Sequence, residues 1–329
     1  MKKSIFLMAS LMIAGSSNLM ALENEDLFSL YGDEDFVSIA TGRKQLISKA
    51  PAVSSVVTAK DIQKMGAKDI EQALESVVGL HVSRRSSAYI PVFLMRGIHS
   101  DFNTQVLILI NGIPITNVFT GDRSLVWAGM PVENISRIEV IRGPGSAVYG
   151  ADAFAGTINI ITKTADEIDG LETGFSAGSF DTRRAWALYG GEVNGWDVAF
   201  SMEVLDTNGY DERISADLQT ISDGVNATSA SLAPGGVNTG KKSIETRIDV
   251  SRDEWQLRMG FQGRYDVETG AGVNQALDPY GRAKSERFNL DLTYHDANFS
   301  ENWEVKSTLS YFDTSFDTEN IHLLPAGSS

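Results

Sequence analysis

The chain has 329 residues, no cysteine and a formal net charge of -15. Acidity of this size argues against a nucleic-acid binder, which needs a basic face for phosphates. The lack of cysteine excludes disulfides and thiolate metal sites, and the length admits two domains.

Lys2 and Lys3 precede the apolar run IFLMASLMIAG, and Leu19-Met20-Ala21 ends on a small residue. This is the pattern of a secretory signal peptide cut after Ala21, leaving 1–21 outside the mature chain. The run is too short to span a bilayer, and no later stretch is long and apolar enough to do so as a helix. An exported chain can still cross a membrane with strands.

Residues 22–45 are acidic, then polar, with little periodicity, and read as an extended lead. Thr58 and Asp61 stand at the spacing of a helix cap. Ile70, Ala73, Leu74 and Val77 follow at helical spacing, with Gly79 as a stop. Short strands come next: LHVSRR, VFLMRGI, VLILINGIPI, RIEVIRG and GTINIITK. VLILI is apolar on both faces and is expected to be a buried central strand. Residues 46–165 thus read as a small α+β domain.

The stretch RGPGSAVYGADAFAG links the last two strands. It is not a phosphate loop, because Ala151 and Asp152 stand where Lys and Ser/Thr are needed. Val148 replaces the third glycine of a dinucleotide fingerprint, and Ser146 lacks the flanking glycines of a hydrolase elbow. No nucleophile, cofactor loop or metal cluster stands out, and His81, His99, His295 and His322 are far apart in sequence. The chain is read as a non-enzyme with no cofactor.

After Thr164 the period changes to two. Trp196, Val198, Phe200, Met202 and Val204 alternate with polar or small residues, as do Trp255, Leu257, Met259 and Phe261. About seven such strands are expected, near residues 171–178, 183–192, 195–206, 243–252, 254–267, 285–296 and 302–313. Connections alternate between tight turns and long loops, and Trp196, Trp255 and Trp303 each follow a short turn. Charged alternate faces, alternating loop lengths and an aromatic girdle favour a membrane barrel over a soluble sandwich.

VENISRIEVIRGPGSAVYGADAFAGTINIITK resembles the end of the plug domain of TonB-dependent outer-membrane receptors. VFLMRGI, VLILINGIPI with Asn111-Gly112 at its turn, KAPAVSSVVTAKDI and the helix ending ESVVGL resemble earlier parts of the same plug. The resemblance implies a plug at 46–165 and, at 166–329, the N-terminal part of a transmembrane antiparallel β-barrel. Barrels of this family have about 22 strands, and about seven cannot close around a plug. The chain is therefore expected to be part of a longer receptor, ending in an external loop.

The resemblance also implies the activity and the partners. It implies energised uptake of a scarce extracellular ligand, most often a ferric siderophore, with cobalamin, haem or a glycan as alternatives. A binding-only surface receptor or a truncated, non-functional product is a further alternative. The partners implied are TonB with its inner-membrane energising complex, outer-membrane lipid and the ligand, with no nucleic acid. The nearest match to the family's TonB box is Asp35-Phe36-Val37-Ser38-Ile39, a strand-former placed before the plug. Arg84, Arg85 and Tyr89, and Phe119 and Arg123, fall where the family has apical plug loops, candidates for an anionic chelate. Arg96, Arg137, Glu139 and Arg142 are expected to contact the barrel wall.

Overall fold

The computed structural model describes residues 36–37, 45–47, 53–85, 90–117, 121–123, 128–143, 149–301 and 303–328, and the backbone of residues 4–15. β1 (Ser4–Gly15) is a strand. In the lead, β2 (Phe36–Val37) pairs antiparallel with β3 (Gln45–Leu46).

The first domain is built on five strands. They are β4 (Val53–Thr58), β7 (Val106–Ile110), β8 (Ile113–Pro114), β9 (Ile135–Arg142) and β10 (Gly156–Thr162). Their order across the sheet is β4-β9-β10-β7-β8, with β10 and β7 parallel. β5 (Leu80–Arg84) and β6 (Pro91–Met95) form a separate antiparallel pair. Every residue of β7 is buried. Val106, Ile108 and Ile110 join one apolar cluster while Leu107 and Leu109 join a second, which is why the sequence is apolar on both faces.

Helix α1 (Ala59–Met65) starts on the expected cap: Asp61 N–H donates to Thr58 Oγ1 at 3.2 Å, and Thr58 N–H donates to the Asp61 carboxylate at 3.1 Å. Those bonds hold the Asp61 carboxyl below its usual range, the Thr58 hydroxyl contributing most. Gly66, at φ +67°, ends the helix, and α2 (Ile70–Leu74) restarts on Asp69, which accepts from Gln72 N–H at 2.9 Å. Ile70, Ala73, Leu74 and Val77 all enter the larger core, as their spacing predicts. Gly156 in β10 is required by packing, since a Cβ there would overlap Met95 Sδ and the Ile141 carbonyl oxygen.

After α3 (Ala165–Ile168) the chain runs as an antiparallel meander. Its strands are β11 (Gly170–Gly178), β12 (Thr182–Val193), β13 (Trp196–Thr207), β16 (Lys241–Arg252), β17 (Trp255–Glu268), β18 (Arg282–Ser300) and β19 (Trp303–Glu319). Each pairs with the next in that order, and β1 lies along the outer edge of β19, Ser4 opposite Thr314 and Gly15 opposite Trp303. The strands match the expected positions, but β18 and β19 run on through polar residues beyond the alternating apolar stretch. Asn194 and Gly195 make a two-residue turn with positive φ. At the other end residues 208–240 and 269–281 form long loops, holding the short pair β14 (Arg213–Ile214) and β15 (Gly235–Gly236) and helix α4 (Leu218–Asn226).

The faces of this sheet are inverted relative to a soluble protein. Arg184, Glu203, Glu245, Arg247, Gln262, Arg264, Arg287 and Asp291 are buried toward the first domain. Met202 and Trp255, at 39% and 48% exposed, point away with Val204, Leu257 and Leu292. Exposed apolar and buried charged residues suit a sheet whose outside meets lipid and whose inside surrounds a polar-faced plug. Trp196, Trp255 and Trp303 all begin strands at the short-turn end, where Trp255 stacks on Tyr294 with ring centroids 5.0 Å apart.

Candidate functional site

A cavity of about 190 Å³ lies between plug and sheet near the long-loop end. The plug contributes Arg84, Ile90, Ala128 and Gly129, and the sheet contributes Lys241, Arg264, Val267, Glu268, Ala283, Lys284, Ser285 and Phe316. The strands reach it because Lys241, Glu268 and Arg282 stand at strand ends beside the long loops. Its cationic side chains, Arg84, Lys241, Arg264 and Lys284, outnumber the single carboxylate of Glu268. Apolar atoms of Ile90, Val267, Ala283 and Phe316 complete the lining.

Most of these charges are engaged. Arg264 donates to the Ala128 carbonyl at 2.8 Å and pairs with Glu245 at 3.5 Å. Lys284 pairs with Glu286 at 3.1 Å, and Glu268 with Arg282 at 2.8 Å. Arg84 lies 3.9 Å from Asp69. Lys241 is different: among the described residues it has no hydrogen-bond or ion-pair partner, and Glu71 and Asp69 act on it only through space. Gly129 makes room for it, since a Cβ at this residue would lie 2.5 Å from Lys241 Nζ.

Behind Gly129 sits Glu71 of α2, 2% exposed. One carboxylate oxygen accepts from Gly129 N–H and the other has no hydrogen-bond partner among the described residues. Burial, and then the Asp69 carboxylate, push the Glu71 carboxyl up to about 7, against the pull of Arg84 and Lys241.

The residues singled out in the sequence separate here. Arg84 lines the cavity. Arg85 donates to the Asp101 carbonyl at 3.2 Å and stacks over Phe102, away from the lining. Arg123 is turned into the plug, 2% exposed, donating to Asn103 O at 3.2 Å and pairing with Asp152 at 2.9 Å. Tyr89 and Phe119 lie outside the described residues. Arg137 pairs with Glu139 at 3.0 Å, and Arg142 donates to Ser55 Oγ at 3.1 Å and to the Val78 carbonyl, all within the plug. Exposed Arg96 donates its N–H to Gly79 O. These four were expected to face the barrel wall. Among the described residues, polar contacts from plug to wall are seen at Glu133, which pairs with Arg184 at 3.0 Å, and at Ala128.

Asp35, Ser38 and Ile39 also lie outside the described residues. Phe36 and Val37 are buried, and Val37 joins Leu107, Leu109, Ile141 and Ala153 in the second apolar cluster. Sequence reading missed Lys241, Glu71 and Glu133. Only the charged alternate positions of the strands pointed toward the inner wall, and nothing in the plug sequence marks Glu71 as buried.

Residues 47–157 match the sequence profile of the TonB-dependent Receptor Plug Domain. Over 181 residues, half of this chain and 29% of the relative, the sequence is 33% identical to the vitamin B12 transporter BtuB of Vibrio vulnificus. Over 136 residues, 40% of this chain and 20% of the relative, it is 38% identical to the iron-regulated outer membrane virulence protein of Vibrio cholerae. Residues 47–157 belong to the plug-domain family of TonB-dependent receptors. The chain's fold also resembles the ferric yersiniabactin uptake receptor FyuA of Yersinia pestis. The TM-score is 0.57 at 17% identity, covering 84% of this chain and 42% of that one. The matched part spans less than half the length of each of these relatives. Among the described residues the chain thus presents a plug and a wall of seven meander strands edged by β1, with the cavity at their junction.

Proposed function

We propose that the receptor takes up a scarce anionic metal chelate, a ferric siderophore, across the outer membrane, with energy delivered by TonB to the segment around Val37. The excess of cationic side chains around the cavity, with Lys241 lacking a hydrogen-bond or ion-pair partner among the described residues, supports an anionic ligand over a neutral corrinoid. The apolar lining suits the organic shell of a chelate. No group transfer is involved: the cavity binds, the plug blocks, and a pulling force opens the path. Export through the signal peptide at 1–21 and insertion by strands belong to the same reading. Uptake of radiolabelled ferric chelates and of labelled cobalamin by a deletion strain, with and without the restored gene, tests it. Restored iron uptake is expected, and restored cobalamin uptake alone overturns the ligand assignment.

A further inference from the structure

A buried carboxylate with one unpartnered oxygen, standing behind a cationic cavity, has a chemical consequence. Glu71 sits on α2 with Asp69 at the start of the same helix. It is faced by Arg84 from β5, Lys241 from β16 and Arg264 from β17, and by the Gly129 N–H from the plug loop. Lys241 and Arg84 favour its ionised form, and both line the cavity. We infer that an anion seated on Lys241 and Arg84 is bound together with one proton, which passes from solvent to Glu71 Oε2. The inference rests on the cavity being the ligand site.

The coupling follows from charge alone. Empty, the cavity leaves the cations to offset the Glu71 charge across Gly129. An anion on those cations cancels their field and adds its own repulsion, so the buried carboxylate is driven to its neutral form. The neutral acid still accepts from Gly129 N–H through Oε1, and the proton occupies the oxygen that has no partner. Because binding and protonation are linked, each strengthens the other. Glu71 is a positioning residue here: it touches Gly129 and not the ligand.

The test uses the full chain in detergent micelles with gallium tris(catecholate), a trianionic and diamagnetic chelate. Titration calorimetry in two buffers of different ionisation enthalpy counts the protons taken up. Wild type is expected to take up a proton above about pH 7, and to bind more weakly with rising pH, by at most about tenfold per pH unit. Glu71→Gln is expected to bind at every pH without uptake, and Lys241→Met to bind at least about tenfold more weakly. Unchanged proton uptake in Glu71→Gln overturns the inference. If the chelate fails to bind wild type at all, the ligand reading falls. The ¹⁵N-labelled Gly129 amide then decides the Glu71 role without ligand. Its resonance should titrate near neutral pH, with a higher midpoint in Lys241→Met, and an amide that does not move across this range overturns the inference.

Discussion

Glu133 of the plug and Arg184 of the barrel wall lie 3.0 Å apart, and the same guanidinium pairs with Glu203 on the neighbouring strand. Arg184 is thus shared between plug and wall, 4% exposed. Removing the cation strands two carboxylates at a closed interface. Arg184→Met is expected to destabilise the plug–wall packing by about 3–5 kcal/mol, the cost of breaking a buried pair from one side. Glu133→Gln should cost less, because Arg184 keeps Glu203. Urea unfolding followed by limited proteolysis of the plug measures both, and equal losses would mean that the Glu203 pair contributes nothing to holding Arg184.

Glu71 gives a pH signature to stability as well as to binding. In the unfolded chain it ionises near its ordinary value of 4.5, and in the fold near 7. Below the lower value both states hold the proton and nothing is lost. Between the two, the unfolded chain ionises while the folded one does not, and stability falls by about 1.4 kcal/mol per pH unit. Above about 7 the loss is complete. Glu71→Gln is neutral throughout, so it should match wild type in acid and exceed it by roughly 3–3.5 kcal/mol in mild alkali. Thermal or urea melts across this range give the comparison; a variant less stable than wild type at high pH would contradict the burial argument.

Two glycines should respond differently to alanine. At Gly129, φ is +69° and the new methyl meets only the tip of a long lysine. The expected cost is about 1–2 kcal/mol, and part of it should be relieved in the double variant with Lys241→Ala. At Gly156 the methyl would overlap the Ile141 backbone carbonyl as well as Met95. Here the loss should exceed about 3 kcal/mol, and Met95→Ala should not restore it, because the carbonyl stays. A double-mutant cycle in urea separates the two.

Much of the architecture was legible because each element announces its surroundings through its period. VLILI could only be a strand buried on both faces, and it divides its side chains between two clusters. Trp255 to Phe261 alternates because one face meets lipid, so its bounds were readable; the polar ends of β18 and β19 carry no such contrast and were cut short. The site was less legible. Arg84 was found because it ends β5 beside the stretch read as an apical loop, but Arg123 looked equally exposed in sequence and is spent on Asn103, Thr104 and Asp152. Long-range pairings such as Arg184 with Glu133 have no local signature: any charged residue on an inner face was an equal candidate until the register was fixed.

Val37 carries the last prediction. It is 0% exposed, pairs with Gln45 and packs on the plug beside Leu107 and Leu109. Under the proposed function this segment must leave the plug and add as a strand to TonB, an interaction made mainly by backbone hydrogen bonds. Proline at this position removes one backbone donor and fixes φ, so the added strand loses a rung. Val37→Pro is expected to abolish energised uptake of the ferric chelate while leaving its binding to whole cells within about twofold, since the cavity is lined by other residues. Val37→Thr, nearly isosteric and able to make every backbone bond, should retain uptake although it weakens the packing against Leu107. Uptake rates and binding isotherms on the same cells give both numbers. Full uptake by the proline variant would place the TonB-contacting strand elsewhere in the lead.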